Sequence, residues 1–322
     1  MGSKGDGRHP EQEVNCPICR GEDFQELPFP DGSTVRLCLH CAFGRTCGPP
    51  PQDRLGVYEE ESVTNRWSRT QAVRKRRWEK LFPGGLKADA EVPEWHLDVG
   101  TGAGDFALWM REKGWRSAGI DLTPRLVRLA DERGLPCVVA GMLDLPCRPR
   151  KLSLLTFMDT LEHVSDPEKA LREARQALVP GGHLWVTCPN AASWAARTLK
   201  THWPWWTPPD HRVHFSPKSL RLLMEREGFQ VVSLRSVEEK SVYLDSAVKL
   251  WSQLCRKWRL SERINFGLRP LISIPVKVLL WLLSPFCFYL EKRLKGGELV
   301  VIAKADQPSE DSLPSAAERS SS

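Results

Sequence analysis

Leu97-Asp-Val-Gly-Thr-Gly-Ala-Gly-Asp-Phe106 reads as a short buried strand that runs straight into a glycine turn and then a helix. His96-Leu-Asp-Val99 is mostly apolar, Gly100, Gly102 and Gly104 follow at alternate positions, and Phe106-Ala-Leu-Trp-Met110 opens a helix with an apolar face. Glycines at such a turn let the backbone approach a ligand closely, and the amides that begin the helix point at whatever is polar on it. One helix later the chain returns as Ser117-Ala-Gly-Ile-Asp121-Leu122. This is a strand ending in a carboxylate roughly 20 residues past the glycine loop, where βαβ nucleotide sites bind ribose hydroxyls. Both strand ends therefore face one adenosine.

The glycine spacing separates two kinds of cofactor. A dinucleotide loop of the form G-x-G-x-x-G needs its third glycine at position 105, which is Asp105; here the run is D-x-G-x-G-x-G from Asp98. That spacing resembles the S-adenosylmethionine loop of class I methyltransferases. Further along, residues 124–134 have helical spacing, 136–140 and 152–158 read as the third and fourth strands, and 141–145 lie where adenine would sit. The fourth strand breaks off into Asp159-Thr-Leu-Glu-His163-Val-Ser-Asp-Pro167. A helix over 169–178 then ends at Pro180-Gly-Gly182, and 183–188 form a fifth strand. Residues 228–232 begin a sixth strand and 298–303 read as a seventh. The expected fold is a doubly wound, seven-stranded α/β sheet with the last strand antiparallel.

Upstream, Cys16-Pro-Ile-Cys19 and Cys38-Leu-His-Cys41 are separated by eighteen residues, the spacing of a four-thiolate zinc site. The intervening Asp31-Gly32 turn between short alternating runs suits the hairpin of a zinc ribbon. A site closed by four thiolates leaves no open coordination position, so this zinc is expected to be structural. The chain of 322 residues carries a formal net charge of +6 and no apolar segment after its polar start, which sets the expectation of a cytoplasmic protein with nucleic acid as an unlikely partner. The expected organisation is a ribbon over 14–47, a proline-marked linker and leading helix over 48–88, a cofactor-binding core over 89–240, a helical insertion over 241–296, a final core strand over 297–305 and a disordered tail over 306–322.

Taken together, L-D-V-G-T-G-A-G, G-I-D, M-D-T-L-E-H-V-S-D-P, P-G-G-H-L-W-V-T-C-P-N and Pro208-Pro-Asp-His211-Arg-Val-His214-Phe-Ser216 resemble the bacterial class I methyltransferases related to ubiquinone-biosynthesis O-methyltransferases. Several members of that group carry an N-terminal zinc ribbon. The resemblance implies that Gly100, Gly102 and Gly104 pass beside S-adenosylmethionine, that Asp121 with Leu122 binds its ribose side, that Met158 lines the pocket after strand four, and that Asp98 orients the loop. It departs at Arg150-Lys151-Leu152, where the family usually has an aspartate. An O-methyl transfer to a small-molecule or lipid-linked acceptor follows from the resemblance.

Candidate bases are few: His163 after strand four, and His211 and His214 in a loop downstream of strand five. Trp203, Trp205 and Trp206 in that loop can pack or can wall an apolar acceptor. An arginine among Arg74, Arg76 and Arg77 of the leading helix can reach the cofactor's carboxylate or simply face solvent. In the insertion, 244–258 read as a basic amphipathic helix and 270–290 as a more apolar one, too short in charge-free length for a span; it is a lid, a dimer contact or a peripheral membrane contact through 241–295. Two rival functions are an RNA methyltransferase gripping RNA with its ribbon and a non-catalytic module that binds the cofactor.

Overall fold

The computed structural model describes residues 14–48, 71–82, 95–147, 149–208, 210–238 and 284–306. Its larger sheet begins with β4 (Trp95–Val99), β5 (Arg116–Asp121), β6 (Cys137–Val139), β7 (Leu152–Met158) and β8 (Leu178–Pro189), which are mutually parallel. β10 (Phe229–Val237) and β11 (Glu298–Ala305) complete it in the order β10-β11-β8-β7-β4-β5-β6, with β11 antiparallel to both neighbours. Every residue of β7 up to Met158 is buried. Such a strand needs a layer on each face of the sheet, supplied by α2 (Asp105–Glu112), α3 (Pro124–Glu132), α4 (Pro167–Ala177) and α6 (Pro217–Arg226). From β4 the chain moves to β5 on one side, and later returns to β7 on the other. The crevice beyond the carboxyl ends of β4 and β7 is therefore the switch point where an open α/β sheet takes its ligand.

The smaller sheet is a ribbon hairpin of β1 (Phe24–Pro28) and β2 (Thr34–Cys38), extended by β3 (Gly44–Cys47). Asp31 accepts from the amide and hydroxyl of Ser33 and so closes the turn, with Gly32 at φ +84°. The ribbon does not stand apart. Its fourth strand is β9 (Val213–His214), contributed by the loop after β8. Cys16, Cys38, Cys41 and Phe43 are buried in the same apolar cluster as Leu161, Leu220 and Phe229 of the large unit. The ribbon therefore shares the main core of the chain.

Trp203 and Trp206 are buried against Val35 and Ala195, so these indoles cement the ribbon to α5 (Trp194–Leu199). A second difference concerns β8. Pairing starts already at Leu178, opposite Leu152, and the ladder then shifts so that Leu154 faces His183. Pro180, Gly181 and Gly182 are thus a bulge inside the strand, with Gly181 at φ +76°, and not merely the end of a helix. The amphipathic helix expected at 244–258 lies outside the described residues, as do 306–322 apart from Asp306. Among the described residues the insertion is represented by α7 (Ser284–Lys292) and the turn after it. Among the described residues no helix is long and apolar enough to cross a membrane.

His96 is buried at the start of β4, and burial lowers its pKa to about 3 from 6.5. Thr156 donates to the carboxylate of Asp98, so it accepts from His96 Nε2, and Nδ1 is left to accept from Ser117. The ring is thus neutral with its proton on Nε2. A depressed histidine contributes stability above its unfolded pKa that is lost as pH falls toward its folded one. Between pH 7 and pH 5 the native protein is expected to lose about 2 kcal/mol more stability than His96→Gln. Urea titrations at both values measure this, and parallel losses in the two proteins would reject it.

Candidate functional site

The glycine loop is built by backbone geometry that side chains resist. Gly100, Gly102 and Gly104 all have positive φ, between +58° and +82°. The amides of Gly100 and Thr101 both donate to the carbonyl of Ile120, at 2.8 and 3.0 Å, which draws the loop over the end of β5. A Cβ on Gly100 would sit 2.5 Å from Thr160 Cγ2, and one on Gly104 would sit 2.7 Å from Leu135 Cδ2. Asp98 is buried beneath the loop, accepting from Thr101 at 2.8 Å and from Thr156 at 2.6 Å. Burial pushes its carboxyl up to about 7. Asp121, at the end of β5, accepts from the amides of Gly102 and Thr123 at 2.9 and 2.8 Å, so the acid is aimed across the mouth of the loop. Leu122 beside it is 59% exposed, and Met158 is half-buried against the aromatic cluster under α1 (Gln71–Leu81).

A second group gathers where β7 ends. Asp159 has φ +53° and shares a hydrogen bond with Thr187, and the helical turn Leu161–His163 follows. The loop before β9 docks on this turn through two bonds: Arg212 N donates to the Glu162 carbonyl, and His163 Nδ1 donates to the Asp210 carbonyl at 3.0 Å. The rings of His163 and His211 then meet edge to face, 4.9 Å apart. Glu162 Oε1 is 3.9 Å from His211 Nε2. Burial, then the charge of Asp159, holds the Glu162 carboxyl well above the usual carboxylate range. The ligating atoms of Glu162, His163 and His211 all lie within 4.8 Å of one another, close enough to share a proton or hold a single divalent cation. His214 is placed differently. Its buried ring donates from Nε2 to Thr46, which itself donates to the His211 carbonyl, and burial lowers its pKa to about 3. The candidate base His214 is thus a neutral ring buried between ribbon and loop, apart from the pairing of His163 with His211.

The four cysteines also converge. Cys16 Sγ lies 3.6 Å from Cys41 Sγ, and Cys19 Sγ lies 3.6 Å from Cys38 Sγ. A Zn–S bond of about 2.3 Å implies a tetrahedron edge of about 3.8 Å, so the donor set fits zinc. The two knuckles are alike: Arg20 N donates to Cys16 O and Ala42 N to Cys38 O, and Arg20 and Ala42 both have left-handed φ. Amides of Ile18 and Cys19 face the Cys16 sulfur, and those of His40 and Cys41 face the Cys38 sulfur.

The Methyltransferase domain family matches residues 69–234, just over half of the chain. The chain belongs to this methyltransferase family. A ubiquinone biosynthesis O-methyltransferase of Cupriavidus pinatubonensis is 34% identical over 101 residues, 29% of this methyltransferase and 41% of the relative. One from Idiomarina loihiensis is 24% identical over 156 residues, 44% of this chain and 63% of the relative. The matches thus span less than two thirds of these relatives. Among solved structures, a complex of the Haloferax volcanii Trm112 methyltransferase activator with a methyltransferase superposes with a TM-score of 0.50 at 16% identity, covering 80% of this chain and all of that one. That likeness concerns the fold.

In this methyltransferase Arg76 of the leading helix faces solvent, while Arg74 and Arg77 turn inward. Arg74 pairs with Asp105 at 2.6 Å, and Arg77 bonds both Asp159, at 2.9 Å, and Glu298. Glu162 and Glu298 were missed in the sequence. Glu162 stands in the quoted run Asp159-Thr-Leu-Glu-His163, where an acid beside a histidine was a signal; Glu298 opens a strand, and nothing local marks it.

Proposed function

We propose that this chain transfers a methyl group from S-adenosylmethionine to a hydroxyl of a small-molecule or lipid-linked acceptor. The observation that carries the reading is the carboxylate of Asp121 held across a glycine loop whose Cβ positions are already taken by Thr160 and Leu135. Such a loop presents backbone to a ligand, and such an acid accepts from a pair of ribose hydroxyls. When bound, S-adenosylmethionine supplies an electrophilic methyl on a sulfonium that is its own leaving group. The protein's residues then have to align an oxygen, keep water out and take one proton. Gly100, Gly102 and Gly104 admit the cofactor, Leu122 lies with Asp121 on its ribose side, Met158 lines the pocket and Asp98 braces the loop. His163 is the base: with Nδ1 donating to Asp210, its Nε2 carries the lone pair. His211 and Glu162 stand behind it to accept the proton onward.

His163→Ala is expected to lower turnover about 100-fold or more while calorimetric affinity for S-adenosylmethionine stays unchanged. His211→Ala is expected to share the direction with a smaller loss. Labelled-methyl transfer into separated small-molecule, lipid and RNA fractions tests the reading directly. Label confined to RNA, or a His163→Ala enzyme of full activity, refutes it.

We further assign zinc to Cys16, Cys19, Cys38 and Cys41. Because these sulfurs sit in the main core, removing the ion with a chelator is expected to lower the melting temperature of the whole unit in one transition, with one zinc released per chain. An unchanged transition after chelation rejects the assignment.

A further inference from the structure

A groove of about 480 Å³ shares no residue with the glycine loop, Asp121 or the histidine pair. It runs between ribbon residues 37–42, α5 and the turn after α7. Its floor is apolar, from Leu27, Leu37, Ala191, Ala196 and Trp206. Its rim carries Arg197, Lys200, Lys218, Arg293 and Lys295, and among the described residues no aspartate or glutamate lines it. Five cations gathered around an apolar floor repel one another unless an anion sits among them.

The groove continues onto an aromatic face. On α7, Phe286, Phe288 and Tyr289 are exposed, the last two by more than half. Lys292 lies 4.6 Å over the ring of Phe288, Arg293 lies 5.6 Å from that of Tyr289, and Phe286 meets Trp194 of α5 edge to face. Arg293 therefore belongs to both the groove rim and the aromatic face. Aromatic rings with a polar margin beside clustered cations suit the boundary between lipid headgroups and acyl chains.

We propose that this groove and the adjoining face of α7 dock on an anionic phospholipid surface, the rim cations taking headgroup phosphates while Phe288 and Tyr289 enter the acyl boundary. The proposal deepens the reading of a lipid-linked acceptor, which it would bring to the crevice, and its test measures binding alone, so failure of docking and failure of methyl transfer are told apart.

The full chain is sedimented with vesicles of phosphatidylcholine alone and of phosphatidylcholine with phosphatidylglycerol, beside a Lys200→Glu/Arg293→Glu variant and a Phe288→Ser/Tyr289→Ser variant. Both pairs are exposed, and thermal unfolding followed by circular dichroism checks that each variant retains its fold. Binding is expected only with phosphatidylglycerol present and to weaken as salt rises. It should drop roughly 30-fold or more on charge reversal and also fall in the serine variant. Equal binding to neutral vesicles overturns the proposal, as does undiminished binding of the charge-reversed chain. Capture of an RNA oligonucleotide without vesicle binding likewise overturns it.

Discussion

Arg77→Met is expected to destabilise the protein by about 3 kcal/mol or more, the cost of removing one partner from a buried ion pair. Arg77 ties three segments that are distant in sequence. It projects from α1, bonds Asp159 at the end of β7 and bonds Glu298 at the start of β11. Glu298 is only 1% exposed, so after the substitution its charge would lose its guanidinium with little water in reach. Asp159 holds a left-handed backbone in a non-glycine residue, and without Arg77 less holds it there. Chemical denaturation measures the loss. In Arg77→Met/Glu298→Gln the buried charge is gone, and at least half of the stability should return, a non-additivity that only coupled residues show. A loss under about 1 kcal/mol for the single variant would place the pair among weak surface bridges and reject the argument.

Gly100→Ala carries the other large effect, on cofactor affinity. The added methyl would stand 2.5 Å from Thr160 Cγ2 and 2.7 Å from its Oγ1, and alanine must also adopt φ +73°. The left-handed conformation alone costs about 1 to 2 kcal/mol. The clash forces either the loop or the Thr160 turn to move, and that turn leads into Glu162 and His163. Affinity for S-adenosylmethionine is expected to fall about 100-fold or more by calorimetry, since a loop displaced by even half an ångström no longer follows its ligand. Adding Thr160→Ala removes both crowding atoms and leaves the nearest at 3.2 Å, so the double variant should recover the steric part and keep the conformational part. A Gly100→Ala protein that binds the cofactor normally would remove the loop from the site.

The two predictions draw on features of different legibility. Gly100, Gly104 and Asp121 could be read directly, because strand, turn, helix and returning strand follow one another within about 25 residues and the spacing of the glycines is itself the signal. The cysteine pairs were legible for the same reason: each Cys-x-x-Cys is one knuckle. The partners of Arg77 were not, since a basic run on a helix reads as a solvated face until the ends of β7 and β11 are brought against it. Glu162 and His211 are similarly separated in sequence and meet only because the loop before β9 docks on the turn after β7. For the tryptophans the sequence left packing and walling equally open, and the ribbon's docking buries Trp203 and Trp206.

Local order along the chain was enough to specify the glycine turn and the cysteine knuckles, each a contiguous run whose hydrogen bonds close on near neighbours, and the strands and helices themselves, whose apolar periodicity is local. Which acids meet Arg77, that His163 meets His211 while His214 is buried against Thr46, and that the ribbon shares the main core, were decided by folding. Those outcomes depend on the burial of charge and apolar surface between remote segments, and residue spacing carries no record of which remote segments will touch.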